Sequence, residues 1–326
     1  ISAQFLILIF ALLSLDFYAY FFAINKLIFI FSNLIIIGNF LQPHWYLIGR
    51  EKIYESGIFL FINKLLFSFF ILFSINKSSL IEDYFLYMGI SSISTGLIFL
   101  MRIIIHYKVK FVIIEFKSGL RLIKNSFKLF ISEIWNYLTN SLTLIIIGSM
   151  IGQLELGIFN IAERIKSLAL QSLHPIIHSI FPRISRKYSQ DKKEANKSFL
   201  NILFYNLTIV FTLYIFANLY IYQIVGYFSQ DYIINIVSIL RILLILFVIS
   251  ITNDMFLNYY LVPNDLYVFI NNNKIFRFIL FIFLIFPLIH KHGIIGAAYS
   301  ILISESIGLL FVMGKFHLTK NNKINK

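Results

Sequence analysis

Apolar stretches of about twenty residues follow one another through this chain, each long enough as a helix to cross the roughly 30 Å hydrocarbon core of a bilayer. Ten are legible: Phe5–Ile24, Leu27–Tyr46, Gly57–Ile75, Tyr84–Ile105, Leu129–Met150, Leu156–Phe181, Phe199–Val225, Ile233–Leu257, Phe276–Ile289 and Ile294–Phe316. With 59% hydrophobic residues and a mean hydropathy of +0.83, the chain lies far above the apolar share of a soluble domain. Backbone groups inside a bilayer have no water to bond, so the spans must be helices. The fold class is therefore all-α, a polytopic integral membrane protein.

The formal charge of +13 would suit a nucleic-acid binder only if the cations shared one soluble face. Instead they alternate by loop. Arg50 and Lys52, the group from Lys108 to Lys128, the group from Arg183 to Lys197, Lys274 with Arg277, and the tail from Lys315 to Lys326 hold most of them. The intervening turns hold only Lys26, Lys77 and Lys291. Positive residues remain on the cytoplasmic side, which sets the C-terminus there and makes the charge a matter of topology, with no nucleic-acid partner. The chain has no cysteine, so thiolate metal sites and disulfides are excluded. No glycine-rich phosphate loop and no Gly-x-Ser-x-Gly elbow is present, and the reading is of a non-enzyme without a cofactor.

Two adjacent spans carry polar stripes. In Leu156–Phe181, the residues Asn160, Glu163, Arg164, Ser167, Gln171, His174 and His178 recur every three or four places and fall on one helical face. In Leu129–Met150, Glu133, Asn136, Tyr137, Asn140 and Thr143 share a face opposite Ile131, Leu138, Leu142 and Ile145. Faces of this kind are expected to line a hydrated or protein-buried interior rather than meet acyl chains. His174 and His178 stand one turn apart, but no third ligand accompanies them, so they are read as polar lining and not as a metal site. Pro175 between them removes a helix bond and predicts a kink.

The longest internal connection, from His106 to Lys128, interleaves cations with Phe111, Val112, Ile113, Ile114 and Leu120, the pattern of an amphipathic segment on the cytoplasmic membrane surface. It predicts a division into an N-terminal transmembrane lobe (1–106), a connector (107–128) and a C-terminal six-helix lobe (129–326). A weak repeat agrees. Ser94, Gly96, Leu97, Phe99 and Met101 match Ser306, Gly308, Leu309, Phe311 and Met313 at one constant offset, as do Tyr87 and Ser92 with Tyr299 and Ser304. Parallel repeats of this kind generate two bundles.

The run from Phe130-Ile-Ser-Glu-Ile-Trp-Asn-Tyr-Leu to Gly148, then Leu156-Gly-Ile-Phe-Asn-Ile-Ala-Glu-Arg-Ile165, then Ile180-Phe-Pro-Arg-Ile-Ser185, resembles the O-antigen flippase (Wzx-type) branch of the polysaccharide transporters. Pro43-His-Trp45 with Gly49, Lys64, Gly293-Ile-Ile-Gly-Ala-Ala298 and Glu305 agree with it. That branch shares a superfamily with the multidrug MATE exporters. The resemblance implies two six-helix lobes, with this chain lacking the first two of twelve helices. It also implies a flippase that moves a polyprenyl-diphosphate-linked oligosaccharide, an O-antigen or capsule repeat unit, to the outer leaflet of the cell inner membrane by alternating access. Membrane lipid, glycan polymerase and chain-length machinery are the partners it brings with it.

For the substrate, the expected contacts are the cations Arg164, Lys64 and Arg241 with the amides Asn160, Gln171, Asn136 and Asn140, since guanidinium and ammonium groups within spans can hold an oxyanion. The carboxylates Glu133, Glu163, Asp16 and Glu305 are the candidates for proton or sodium coupling, because a carboxylate in low dielectric holds its proton more tightly and can exchange it. The competing functions are a MATE-like cation-coupled exporter of small molecules and a membrane-embedded glycan polymerase or acyltransferase.

Overall fold

The structure is a computed structural model that describes residues 8, 11, 12, 14, 26–50, 52–74, 81–109 and 134–321. Every regular element among them is helical. In chain order these are α1 (Lys26–Phe40), α2 (His44–Gly49), α3 (Ile53–Ser74), α4 (Ile81–Tyr107), α5 (134–150), α6 (Gln153–Gln190), α7 (Lys192–Leu219), α8 (Ile221–Phe228), α9 (Ile233–Phe256), α10 (Tyr267–His292) and α11 (Ile294–Asn321). Seven stretches among the described residues are long and apolar enough to cross a membrane. The helix α6 is not one of them, because its polar stripe lowers its hydropathy. Of the first expected span, Phe5–Ile24, only four helical residues are described, and most of the connector 107–128 lies outside the described residues.

The chain divides into two compact units, 1–127 and 128–326. In the first, α1 and α3 pack on α4. The contact of α1 with α4 is close because small residues face backbone: a Cβ on Gly38 would lie 2.5 Å from Ser92 Cβ, and one on Gly96 would lie 2.7 Å from Leu41 Cβ and 2.9 Å from the Gly38 carbonyl. Helices in lipid gain little from apolar burial, so such small-residue notches supply the dispersion contact that holds them. A corner follows α1, where Gln42 donates to the Gly38 and Ser92 carbonyls and His44 pairs with Ser56 at 2.8 Å. The Pro43-His-Trp45 motif belongs to this corner.

In the second unit, α9 is central. Its Ile236, Ile239, Leu243, Phe247 and Ile251 are buried, and it packs on α6, α7 and α11. The outer faces are apolar too: Phe204, Tyr205, Phe211 and Phe216 of α7 and Leu310 and Phe311 of α11 are exposed, as a lipid-facing surface requires. Gly293, at φ +57°, makes the tight turn from α10 to α11 in a conformation that suits glycine.

Three expectations are corrected. The basic stretch from Arg183 to Lys197 is not a loop: α6 and α7 run through it and meet at Asp191, whose carboxylate accepts from the Lys193 and Glu194 backbone N–H groups. Tyr188 donates to Asn196 at 2.7 Å and Lys187 to Glu194 at 3.1 Å, and those cross-links hold the helical hairpin closed. Burial pushes the Tyr188 phenol well above its usual range. Lys274 is likewise helical, because α10 begins nine residues before the expected Phe276, and Arg277, expected at the end of that span, lies well within the helix. Finally, the split of α5 into polar and apolar faces does not hold. Thr143 is buried with its hydroxyl on the Thr139 carbonyl, and Ile145 is exposed, because an outer face that meets lipid favours the apolar side chain.

Candidate functional site

The helix α10 starts with an Asn-rich turn, and its side chains at 273, 274 and 277 recur at helical spacing toward the inside of the second unit. Lys274 is 7% exposed. One turn further on, Arg277 reaches two other helices: Nη1 donates to Glu305 Oε2 of α11 at 2.8 Å, and Nη2 donates to Asn136 Oδ1 of α5 at 2.9 Å. Asn253 of α9 donates to the same Glu305 oxygen at 3.0 Å, and Asn273 donates to the Gly308 carbonyl at 2.9 Å. Four helices thus converge on one guanidinium and one carboxylate. The pair is 13% and 18% exposed at its side chains, so each charge depends on the other for solvation.

Gly308 makes this route passable. A Cβ there would overlap Cγ and Cδ of Arg277, so the arginine stem crosses α11 only where the side chain is a hydrogen. Beside the pair lies a cavity of about 100 Å³ lined by Asn136, Asn253, Asp254, Asn273, Lys274 and Arg277 with apolar walls. Two of its wall residues, Leu257 and Leu261, belong to a π-helical turn that closes α9. Such turns are frequent at functional sites because they re-aim side chains out of the regular ladder. Tyr259 of that turn donates to the Ile177 carbonyl of α6, and His174 of α6 stands 3.5 Å from Asp254.

The stripe on α6 lies on the surface of its unit. Asn160, Arg164 and Gln171 are exposed, whereas Ile158, Phe159, Ala162, Leu173 and Ile177 on the other side are buried in the core. Glu163 is engaged by Lys166, Nζ to Oε1 at 2.6 Å, and Gln171 donates to Ser167. No carboxylate among the described residues pairs with Arg164. The helix runs through Pro175, and the His178 side chain lies outside the described ones.

The expected site residues therefore fall into separate places. Asn136 and Glu305 meet in the Arg277 cluster; Asn160, Arg164 and Gln171 share the exposed face of α6, with Glu163 beside them. Asn140 is exposed on α5, Arg241 on α9 and Lys64 on α3 of the first unit. Asp16 and Glu133 lie outside the described residues. Among the described residues no three His, Asp or Glu side chains gather as metal ligands.

Two charged residues were not expected at a site: Arg277, counted with the cations at the cytoplasmic ends of the spans, and Glu55 of the first unit. Glu55 is 7% exposed and accepts from the Tyr107 hydroxyl at 2.8 Å and the Tyr54 hydroxyl at 3.1 Å, with Lys52 and Arg102 each at 3.6 Å. The Arg50 guanidinium lies over the rings of Tyr46 and Tyr107, 5.1 and 5.3 Å from their centroids. Hydrogen bonding with Tyr107 holds the Lys52 ammonium above the ordinary lysine range.

This arrangement of membrane-crossing helices is a known transporter architecture. The fold is similar to a multidrug resistance MATE family transporter of the MOP superfamily in its inward-facing conformation, with TM-score 0.78 at 14% identity over 98% of this chain and 79% of that one. It is also similar to a MOP superfamily transporter from Pyrococcus furiosus Vc1 described as having a binding pocket of reverse polarity, with TM-score 0.72 at 14% identity over 97% and 76%. The outward-facing MATE conformation matches at TM-score 0.67 and 14% identity over 90% and 70%. A search of the curated proteins finds no match. The polysaccharide biosynthesis protein family matches residues 3–187, more than half of the sequence, and the chain belongs to that family. The protein is thus a multi-pass membrane protein of the polysaccharide biosynthesis family with a fold shared by MATE transporters, and both family and fold speak against the polymerase and acyltransferase readings.

Proposed function

We propose that the protein carries a polyprenyl-diphosphate-linked oligosaccharide, an O-antigen or capsule repeat unit, from the cytoplasmic to the outer leaflet of the inner membrane by alternating access, with its C-terminus in the cytoplasm. The observation that carries this reading is Arg164: a guanidinium on an exposed, amide-bearing helix face of a membrane protein, left without a carboxylate among the described residues because Lys166 takes Glu163. A sugar and a diphosphate dragged through hydrocarbon would leave many polar groups unpaired at several kcal/mol each. A face bearing Asn160, Arg164 and Gln171 supplies partners, while the lipid tail stays in the bilayer. Lys64 and Arg241, both exposed on their helices, are further candidate contacts for the anion, and Asn136 and Asn140 for the sugar. Moving two negative charges outward across an inside-negative membrane is favoured by about 4 to 5 kcal/mol per 100 mV, which gives direction without a coupled ion.

The test is Arg164→Ala and Arg164→Lys in the full chain, with the leaflet distribution of the lipid-linked glycan as readout. Loss of outer-leaflet glycan in Arg164→Ala and partial retention in Arg164→Lys is expected; wild-type distribution in both overturns the assignment. The likeness to multidrug MATE transporters favours a second reading, export of small cations, which dye-efflux measurements separate from the first.

A further inference from the structure

Arg277 occupies an unusual place for an arginine. Its guanidinium lies where a carboxylate oxygen of Glu305 and an amide oxygen of Asn136 converge, with the Asn253 amide bonded to the same Glu305 oxygen. Carboxylate and amide oxygens brought to one point are the donor set that hard inorganic cations take. Here the positive charge is covalently attached. It is held by the chain and cannot diffuse away. The surroundings are shaped to its stem: Gly308 leaves room for Cγ and Cδ where a Cβ would overlap them, and Asn273 donates to the Gly308 carbonyl beside it.

We propose that Arg277 is a tethered counter-cation that fills a monovalent-cation site built from the Glu305 carboxylate and the Asn136 amide oxygen, with the Asn253 N–H orienting the carboxylate, so that sodium and potassium do not load at Glu305 in this protein. The inference is independent of what the protein carries. It removes Glu305 from the residues that could exchange a dissolved ion, and it makes the residue at 277 the determinant of ion dependence in the second unit. Deleting the guanidinium leaves an uncompensated carboxylate beside the Asn136 amide oxygen and widens the adjoining cavity of about 100 Å³, room that a partly dehydrated ion can use.

The experiment is thermal unfolding of the purified full chain in detergent, in sodium, potassium and choline chloride at matched ionic strength. The wild type is expected to unfold at the same temperature in all three. Arg277→Ala is expected to gain a saturable stabilisation by sodium or potassium over choline, amounting to about an elevenfold rise in the folded-to-unfolded ratio at ten times the dissociation constant. Arg277→Ala combined with Glu305→Gln is expected to lose it. Arg277→Met, which keeps the length of the stem, covers the case in which the alanine variant does not fold: a sodium-dependent midpoint in that variant supports the proposal. A wild type already stabilised by sodium in a way that Glu305→Gln abolishes overturns it, as does a folded Arg277→Ala or Arg277→Met that is blind to both ions. None of these readouts involves glycan, so their failure is distinct from failure of the flippase reading.

Discussion

Gly96 and Gly308 occupy the same place in the repeated stretch of the two units, and the molecule uses the two notches differently. In the first unit the space above Gly96 is filled by the backbone and Cβ of a neighbouring helix, Gly38 and Leu41, so the notch serves packing. In the second the space above Gly308 is filled by the stem of Arg277, and the notch delivers a charge to the interior. Three residues before each glycine the difference recurs: Ile93 in the first copy, Glu305 in the second. One small-residue device, set beside an apolar or an acidic neighbour, thus yields either a helix contact or an ion cluster. The first unit keeps its own buried carboxylate, Glu55, at the ends of its helices, where Tyr54 and Tyr107 supply hydroxyls.

The contrast can be broken most severely at the pair itself. Arg277→Ala or Glu305→Ala, each leaving one uncompensated charge, is expected to cost about 3–5 kcal/mol, read as a lower unfolding midpoint in choline chloride; replacing both by leucine should recover most of the loss. Next comes the notch. Gly96→Ala forces apart two helix backbones and is expected to cost about 1–3 kcal/mol, with transport per folded molecule unchanged. Gly308→Ala displaces a side chain rather than a backbone, and is expected to lower transport per folded molecule when assayed beside Gly96→Ala at equal amounts of folded protein. A smaller fall in unfolding midpoint than for Glu305→Ala is expected from Glu55→Gln, since its hydroxyl donors remain and its cations are partly solvated. The smallest effect, about 1 kcal/mol, is expected from Asp191→Ala, which removes a helix cap at the end of the α6–α7 hairpin and touches neither cluster.

Much of the fold was legible because membrane helices announce themselves by length and apolarity: nine of the ten expected spans overlap described helices, although Leu27–Tyr46 is broken at Leu41–Pro43 and Phe199–Val225 at Tyr220. The stripe on α6 was legible too, since helical spacing alone puts Asn160, Arg164 and Gln171 on one side. The cluster was not. Arg277 meets Glu305 across 28 residues and Asn136 across 141, and no local pattern encodes either meeting. Charge also suggests water, which places Lys274 in a loop and Arg277 at the wet end of a span. Inside a bilayer protein a cation can instead be the filling of a packed interior, provided that a carboxylate and amides arrive from other helices. The same habit turned the Arg183–Lys197 stretch into a loop, although its charges line two helices that are stitched together by Tyr188 and Asn196.

The uninterrupted length of α6 has a mechanical corollary. Its 38 residues carry the Asn160–Gln171 face near one end and the cross-linked basic hairpin at the other, with about 45 Å of helix contour between Asn160 and Gln190 at 1.5 Å per residue. A rod of that length is a lever. Swung by 10° about its hairpin end, it carries Asn160 sideways through roughly 8 Å, far enough for a hydroxyl or phosphate group to exchange one set of partners for another, with no bond in the helix itself broken.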